Sequence, residues 1–144
     1  MVKLVVIRFL FKLFRAGESM QLHESGENYL EVMLILNKER GYIRSVDIAN
    51  KLSYSKPSVS RAVSILKKAG HIVMDEDGLI TLTESGKLIA EKIYERHCFL
   101  FKCFKFLGVS DKTAEEDACR IEHVMSQETF EKLRKHFENY AVFE

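Results

Sequence analysis

The chain has 144 residues, of which 47% are hydrophobic and 30% are charged, and its formal net charge is +1. This length suits one domain, or one small domain with a helical appendage. The hydrophobic share is typical of a globular protein with a buried core, so the composition argues against a disordered chain. The three cysteines are an odd number without the spacing of a disulfide framework. They predict free thiols and a cytoplasmic protein.

The first twenty residues are apolar but are interrupted by basic residues at positions 3, 8, 12 and 15. No uninterrupted run approaches the roughly 20 apolar residues that cross a bilayer, and the spread charges differ from those of a signal peptide. If the segment is helical, Arg8, Lys12 and Arg15 share one face. We expect residues 1–20 to be an N-terminal extension without integral membrane association. It is either disordered and upstream of a start at Met20, or a helix that packs or lies on a membrane, DNA or a partner.

Three helices are predicted after this segment, and the second and third are short and close together. Helical spacing of apolar residues begins at Ser25, the expected cap of the first helix, and Gly41 ends it. Ser45 is the expected cap of the second helix, and Ser55 caps the third after a turn of a few residues. Two helices joined by so tight a turn are typical of a helix-turn-helix.

Two apolar stretches flank residues 75–78 and predict a β-hairpin, because Asp77-Gly78 favours a tight turn. A hairpin that follows a helix-turn-helix is a wing. Thr83 is the expected cap of a long helix that ends at Gly108, and two or three shorter helices follow. The predicted fold is therefore mainly α with a small β wing, a winged helix-turn-helix followed by a helical domain.

The third predicted helix carries hydroxyl and basic side chains near its start. Such side chains suit base edges and phosphates in a major groove, because Arg bonds guanine through two atoms and Ser both donates and accepts. Residues 48–74 contain five Lys or Arg and no Asp or Glu, so no acid repels a phosphate there. The alternative is a packing hairpin with a solvated basic face. The candidates for contact with double-stranded DNA are Lys56, Ser58, Ser60 and Arg61.

The stretch CRIEHVM, residues 119–125, places a thiol, a carboxylate and an imidazole on one helical face, since residues at i, i+3 and i+4 share a face. These groups are ligands for transition ions, and the carboxylate also tolerates harder ions such as Mn²⁺ and Fe²⁺. The alternative is a polar face that holds no metal. We expect no catalytic residues and no enzyme, because no spare acid, base or nucleophile accompanies these groups. The candidate donors are Cys119, Glu122 and His123, joined by Asn28, Glu31 and His97 if three helices meet.

From about Ser25 to its end, the chain resembles the diphtheria-toxin-repressor family of metal-dependent transcriptional regulators, which includes the manganese transport regulators. The resemblance rests on ENYLE, DIANKLSYSKPSVSRAVSILKKAG, LTESGKLIAEKIYERH and, most specifically, DACRIEHVMS. It implies a winged helix followed by a helical dimerisation domain. It also implies a homodimer that binds operator DNA and represses metal-uptake genes when Fe²⁺ or Mn²⁺ is bound.

Residue by residue, the resemblance implies a metal site of mixed character. The primary ligands of the family match Cys119, Glu122 and His123, where the thiol is the choice of the iron branch. Two further ligands of the manganese branch match Glu31 and His97. Asn28 stands where the family has Met or Asp. Phe101 replaces a carboxylate of the iron branch, so that ancillary site is not matched, and Glu115 is a candidate to contribute instead.

The resemblance also implies DNA contacts and a division into two domains. The family's recognition-helix contacts fall on Ser55, Pro57, Ser58, Ser60 and Arg61. We expect a winged-helix domain at residues 21–83 and a helical metal-binding and dimerisation domain at residues 84–144. Because both domains supply ligands, we expect a bound ion to favour one spacing of the two recognition helices. The rival prediction is a winged-helix regulator that responds to redox or to an organic ligand without metal.

Overall fold

The computed structural model describes residues 24–140, so the expected N-terminal extension lies outside the described residues. The described part is mainly helical with one two-stranded antiparallel sheet, which confirms the predicted fold class. None of its helices is long and apolar enough to cross a membrane. In chain order the elements are α1 (24–40), α2 (Ser45–Leu52), α3 (Lys56–Lys68), β1 (Ile72–Met74), β2 (Ile80–Leu82), α4 (Glu84–Phe106), α5 (Asp111–Val124) and α6 (Gln127–Phe137).

The helix-turn-helix consists of α2 and α3. Ser55 caps α3 as predicted, because its Oγ accepts the backbone N–H of Ser58 at 3.3 Å. Pro57 stands in the first turn, where its missing N–H leaves no intrahelical bond broken. The position at which α3 starts is therefore determined by Ser55 and Pro57, and the side chains of its first turn are exposed.

Two expected caps were wrong. Ser45 is the first residue of α2, and Arg44 occupies the N-cap without a side-chain cap bond. The backbone of Arg44 is extended because it pairs with Leu79 of the hairpin, so the helix begins one residue after this contact. Ser25 lies inside α1, which already includes residue 24.

The wing is a short hairpin in which β1 and β2 pair with Ile72 opposite Leu82. Gly78 has a φ of +76°, a left-handed conformation that the tight turn requires and that Gly adopts without strain. Ile72 and Ile80 are buried whereas Val73 is exposed, so one side of the hairpin packs on the core. The predicted wing is confirmed.

Two hydrophobic cores lie along α4. The first core joins α1, the helix-turn-helix, the wing and Ala90 of α4, and the second joins Leu100 and Cys103 of α4 to α5 and α6. Thr83 caps α4 as predicted, by accepting the N–H of Gly86 at 3.3 Å. A Cβ on Gly86 would lie 2.0 Å from the carbonyl oxygen of His71, so the start of α4 sits directly on the base of the wing.

Candidate metal centre and DNA-binding face

Three helices bring one ligand group each to a common point. Glu31 comes from α1, His97 from α4 and Glu122 from α5, and one ligand atom of each lies within 4.8 Å of the others. Glu31 and Glu122 are 5% and 0% exposed. Carboxylates are buried this deeply almost only when they are paired or bind a metal. The three helices that had to meet for the predicted site therefore do meet.

Protonation balances the charge of this cluster. Nδ1–H of His97 donates to Oε2 of Glu122 at 2.8 Å, and Nε2 lies 3.2 Å from Oε1 of Glu115. The hydrogen bond to Glu122, helped by the nearby carboxylates, raises the pKa of His97 to about 9. Burial, followed by the negative charge of Glu122, raises the pKa of Glu31 to about 7. At neutral pH, the protons on His97 and Glu31 therefore reduce the repulsion between the carboxylates of the cluster.

Glu122 and His123 present two buried atoms without hydrogen-bond partners. Oε1 of Glu122 and Nε2 of His123 lie 3.2 Å apart, and neither makes a hydrogen bond. The two atoms are within ion-pair distance, so their opposite charges attract, but the geometry leaves the hydrogen-bonding capacity of both atoms unused. Two ligands that share an ion at roughly 2.1 Å are about 3 Å apart, so this pair fits a divalent transition ion.

The other nitrogen of His123 has a partner on a different helix. Nδ1–H of His123 donates to Oε2 of Glu27 on α1 at 3.1 Å. Burial alone lowers the pKa of His123, but the carboxylates of Glu122 and Glu27 outweigh it and raise the pKa to about 9. Burial raises the pKa of Glu122, but the two histidines outweigh it and hold that pKa below its usual value.

The sequence prediction missed Glu27. It lies one turn before Glu31 on α1, so the i, i+4 spacing places both carboxylates on the same side of that helix. The motif ENYLE begins with this residue. The spacing was a usable signal, although it gave no indication that Glu27 would contact His123.

The remaining predicted donors surround the cluster. Asn28 and Cys119 both line two cavities, one of about 630 Å³ and one of about 690 Å³. Glu115 lines the larger cavity and contacts His97. Cys119 is a free thiol, and burial, then the charge of Glu122, raises its pKa. His123, Glu115 and Cys119 are outside the group of mutually close His, Cys and carboxylate atoms, which among residues 24–140 comprises Glu31, His97 and Glu122.

Arg96 fixes the turn that carries the ligands of α5. Its guanidinium is buried, and Nη1 donates to the carbonyl oxygens of Glu122 at 3.1 Å and Met125 at 2.8 Å. Nη2 donates to Oε1 of Gln127 at the start of α6. A cation is favourable at the carbonyl end of a helix. Arg96 therefore holds the backbone of Glu122, while the next residue in α4, His97, holds its side chain.

The predicted DNA-binding residues lie together at the exposed start of α3. Lys56, Pro57, Ser58, Ser60 and Arg61 are all exposed, and so is the capping residue Ser55. The hydroxyls of Ser55 and Ser58 lie 2.8 Å apart. Both of these serines also line the 630 Å³ cavity, which Cys119 and His123 line as well. Cys119 and His123, two of the predicted metal ligands, therefore border the same space as the recognition helix.

A winged helix joined to a buried cluster of metal-ligand side chains defines a metal-responsive DNA-binding regulator. The model for the N-terminal DNA-binding domain of iron-dependent repressors matches residues 21–79, and the model for their metal-binding and dimerisation domain matches residues 83–142. The chain belongs to the iron-dependent repressor family.

Individual relatives agree with this assignment. An uncharacterized HTH-type transcriptional regulator of Methanocaldococcus jannaschii is 34% identical over 122 residues, which are 83% of this chain and 97% of the relative. The manganese regulator SloR is similar with a TM-score of 0.70 and 27% identity, and IdeR of T. acidophilum with 0.68 and 26%. Each similarity covers 78% of this chain and 53% of the other, so the chain spans about half the length of these two structures.

The family assignment confirms several predictions. The chain carries both the DNA-binding domain and the metal-binding and dimerisation domain of iron-dependent repressors, which confirms the expected metal-dependent transcriptional repressor. The family and the relative are transcriptional regulators. The individual ligands, the individual DNA contacts and the domain boundary at residue 83 stay predictions.

Proposed function

We propose that this protein represses metal-homeostasis genes in the cytoplasm, as a homodimer whose affinity for operator DNA rises when Fe²⁺ or Mn²⁺ is bound, and that it is not an enzyme. The observation that carries the proposal is the buried contact of Glu122 with His123, whose facing atoms lie 3.2 Å apart without a hydrogen bond, beside Glu31 and His97. These residues come from both halves of the chain. An ion held there therefore depends on how the two halves are arranged.

The proposed ligands are Glu31, His97, Glu122 and His123, completed by Cys119, Asn28 and Glu115. When bound, a divalent ion supplies the positive charge that the cluster otherwise obtains from protons. Imidazole and carboxylate together suit Mn²⁺ and Fe²⁺, whereas the Cys119 thiol adds a softer donor. Ligand atoms of Glu31, His97 and Glu122 already lie within 4.8 Å of one another, and His123 lies 3.2 Å from Glu122, so this part of the set needs little rearrangement to bind an ion.

The coupling to DNA follows from where the ligands are anchored. Glu31 belongs to α1, which packs in the core of the winged helix, whereas Glu122 belongs to α5, which packs in the second core. An ion that binds both Glu31 and Glu122 stabilises the arrangement of the two halves in which these side chains are close. If this arrangement also sets the spacing of the recognition helices, metal raises DNA affinity, and DNA must raise metal affinity by the same factor.

DNA recognition is proposed for the exposed start of α3. Arg61 can bond a guanine edge, and Lys56 can neutralise a phosphate. Replacing Arg61 by Ala should cost about 1 to 3 kcal/mol at one base position, whereas Lys56→Ala should weaken binding to all sequences alike. Fluorescence anisotropy with matched and mutated duplexes distinguishes these two effects.

The proposed function is tested by titrating a duplex, selected from random sequences with Mn²⁺-loaded protein, in the presence of Mn²⁺, Fe²⁺ or Zn²⁺ without oxygen. Wild-type protein should bind the duplex tightly only with metal. The double variant Glu122→Ala, His123→Ala should lose the metal response, while the control variant His136→Gln, on exposed α6 surface, should keep it. Metal-independent binding by wild type, or a metal response in the double variant, would contradict the proposal.

A further inference from the structure

One ion pair connects the two halves of the chain directly beside the proposed ligands. Glu27 of α1 and His123 of α5 are 96 positions apart in sequence, and their Oε2 and Nδ1 atoms are 3.1 Å apart. The side chain of His123 is 9% exposed and that of Glu27 is 21% exposed. This pair is shielded from solvent, unlike the surface ion pairs that contribute little.

The contact determines which nitrogen of the ring is free. A carboxylate accepts a hydrogen bond, so the proton of a neutral His123 is held on Nδ1 and the lone pair is on Nε2. Nε2 is the atom that lies 3.2 Å from Oε1 of Glu122 without a hydrogen bond. Glu27 therefore favours both the tautomer and the ring orientation that a metal ligand needs.

We propose that Glu27 is a positioning residue of the metal centre, which holds His123 ready for binding and ties it to the DNA-binding half of the chain. This inference rests on the proposed function, because it assigns a role toward the same ion. Glu27 acts through His123 and needs no bond to the ion itself. Because Glu27 lies on α1, the orientation of His123 on α5 depends on the position of the winged helix relative to α5.

Glu24 offers a matched control on the same helix. It is an identical side chain three residues earlier, it lines the 630 Å³ cavity, and no hydrogen bond or ion pair is found for it among residues 24–140. Removing either carboxylate changes the net charge of α1 by the same amount. A difference between the two variants therefore reports the contact with His123 and not the charge alone.

The first measurement is Mn²⁺ affinity of the full chain, read without oxygen from the paramagnetic resonance signal of free Mn²⁺. Losing a carboxylate that orients a ligating histidine typically weakens metal affinity about 10-fold to 100-fold. We expect this loss for Glu27→Leu and wild-type affinity for Glu24→Leu. Glu27→Gln should fall between wild type and Glu27→Leu, because an amide oxygen still accepts Nδ1–H but carries no charge. Wild-type affinity in both Glu27 variants would overturn the inference.

The second measurement is the tautomer of His123 in Zn²⁺-loaded protein with ¹⁵N-labelled histidine. Wild type and Glu27→Gln should show a protonated Nδ1 and a coordinated Nε2, whereas Glu27→Leu should lose this single pattern. If Glu27→Leu does not fold, the Mn²⁺ affinity and the His123 tautomer of Glu27→Gln still test the role of Glu27. Failure of wild type to bind Mn²⁺ would refute the proposed function, while normal binding that is insensitive to Glu27 would refute only the role of Glu27.

Discussion

Acid should weaken metal binding steeply, because the ion and protons compete for the same atoms. His97 and His123 have pKa values of about 9, and Glu31 has a pKa of about 7. A raised pKa means that the group keeps its proton to higher pH, and a ligand must lose that proton. Metal affinity should therefore rise steeply with pH up to about pH 9, and more gently above it while the Cys119 thiol, whose pKa is also raised, still holds a proton.

The size of the effect follows from the three pKa values. At pH 8 each histidine is about nine-tenths protonated and Glu31 is mostly ionised. The histidines should therefore release about two protons on binding and the Cys119 thiol about one more, so affinity should fall about 1000-fold for each unit by which the pH is lowered. Near pH 6 Glu31 is also protonated, and the release should approach about four protons per ion.

Calorimetry measures this release directly. Mn²⁺ is titrated at pH 8 into protein in two buffers with different enthalpies of ionisation, and the difference in observed heat gives the number of protons. The variant His123→Ala should release about one proton fewer, whereas His136→Gln should release as many as wild type. Release of fewer than one proton by wild type at pH 8 would refute the assignment of both histidines as ligands.

Three further changes test the scaffold by chemical unfolding. Gly86→Ala should lower the free energy of unfolding by about 2 kcal/mol or more, because its Cβ would lie 2.0 Å from the carbonyl oxygen of His71; an unchanged midpoint would refute that contact. Arg96→Met should cost about 2 to 4 kcal/mol, since two carbonyls at the end of α5 lose their donor, and a neutral result would contradict this. Ser55→Ala should cost about 1 kcal/mol through the lost cap of α3, and no loss would mean that the cap is dispensable.

Local features of the fold were predictable because local chemistry determines them. The caps Ser55 and Thr83 are hydroxyl residues that accept an N–H of the first turn, and Gly78 is the residue that the hairpin turn requires. The cap at Ser45 failed because a contact with the distant hairpin holds Arg44 extended. Helix starts are therefore predictable from sequence until tertiary pairing fixes the neighbouring backbone.

The candidate site was predictable only as a set of residue types. The face of α5 with Cys119, Glu122 and His123 follows from helical spacing, since residues at i, i+3 and i+4 lie together. The contacts of Glu27 with His123 and of Arg96 with the end of α5 join residues 96 and 26 positions apart. No spacing rule relates residues on different helices, so these contacts needed the packed structure.

The position of α4 has a mechanical consequence. The 23 residues of α4 form a rod of about 34 Å that starts at the wing and ends in the second core. A rotation of only about 5° at the contact between Gly86 and His71 would displace the far end by about 3 Å over that length. Adjacent half-sites on DNA are about 34 Å apart, so shifts of this size would determine whether two recognition helices fit successive grooves. In a homodimer, a shift of about 1.5 Å at His97, roughly half-way along α4, would therefore accompany a shift of about 3 Å at the far end of the helix.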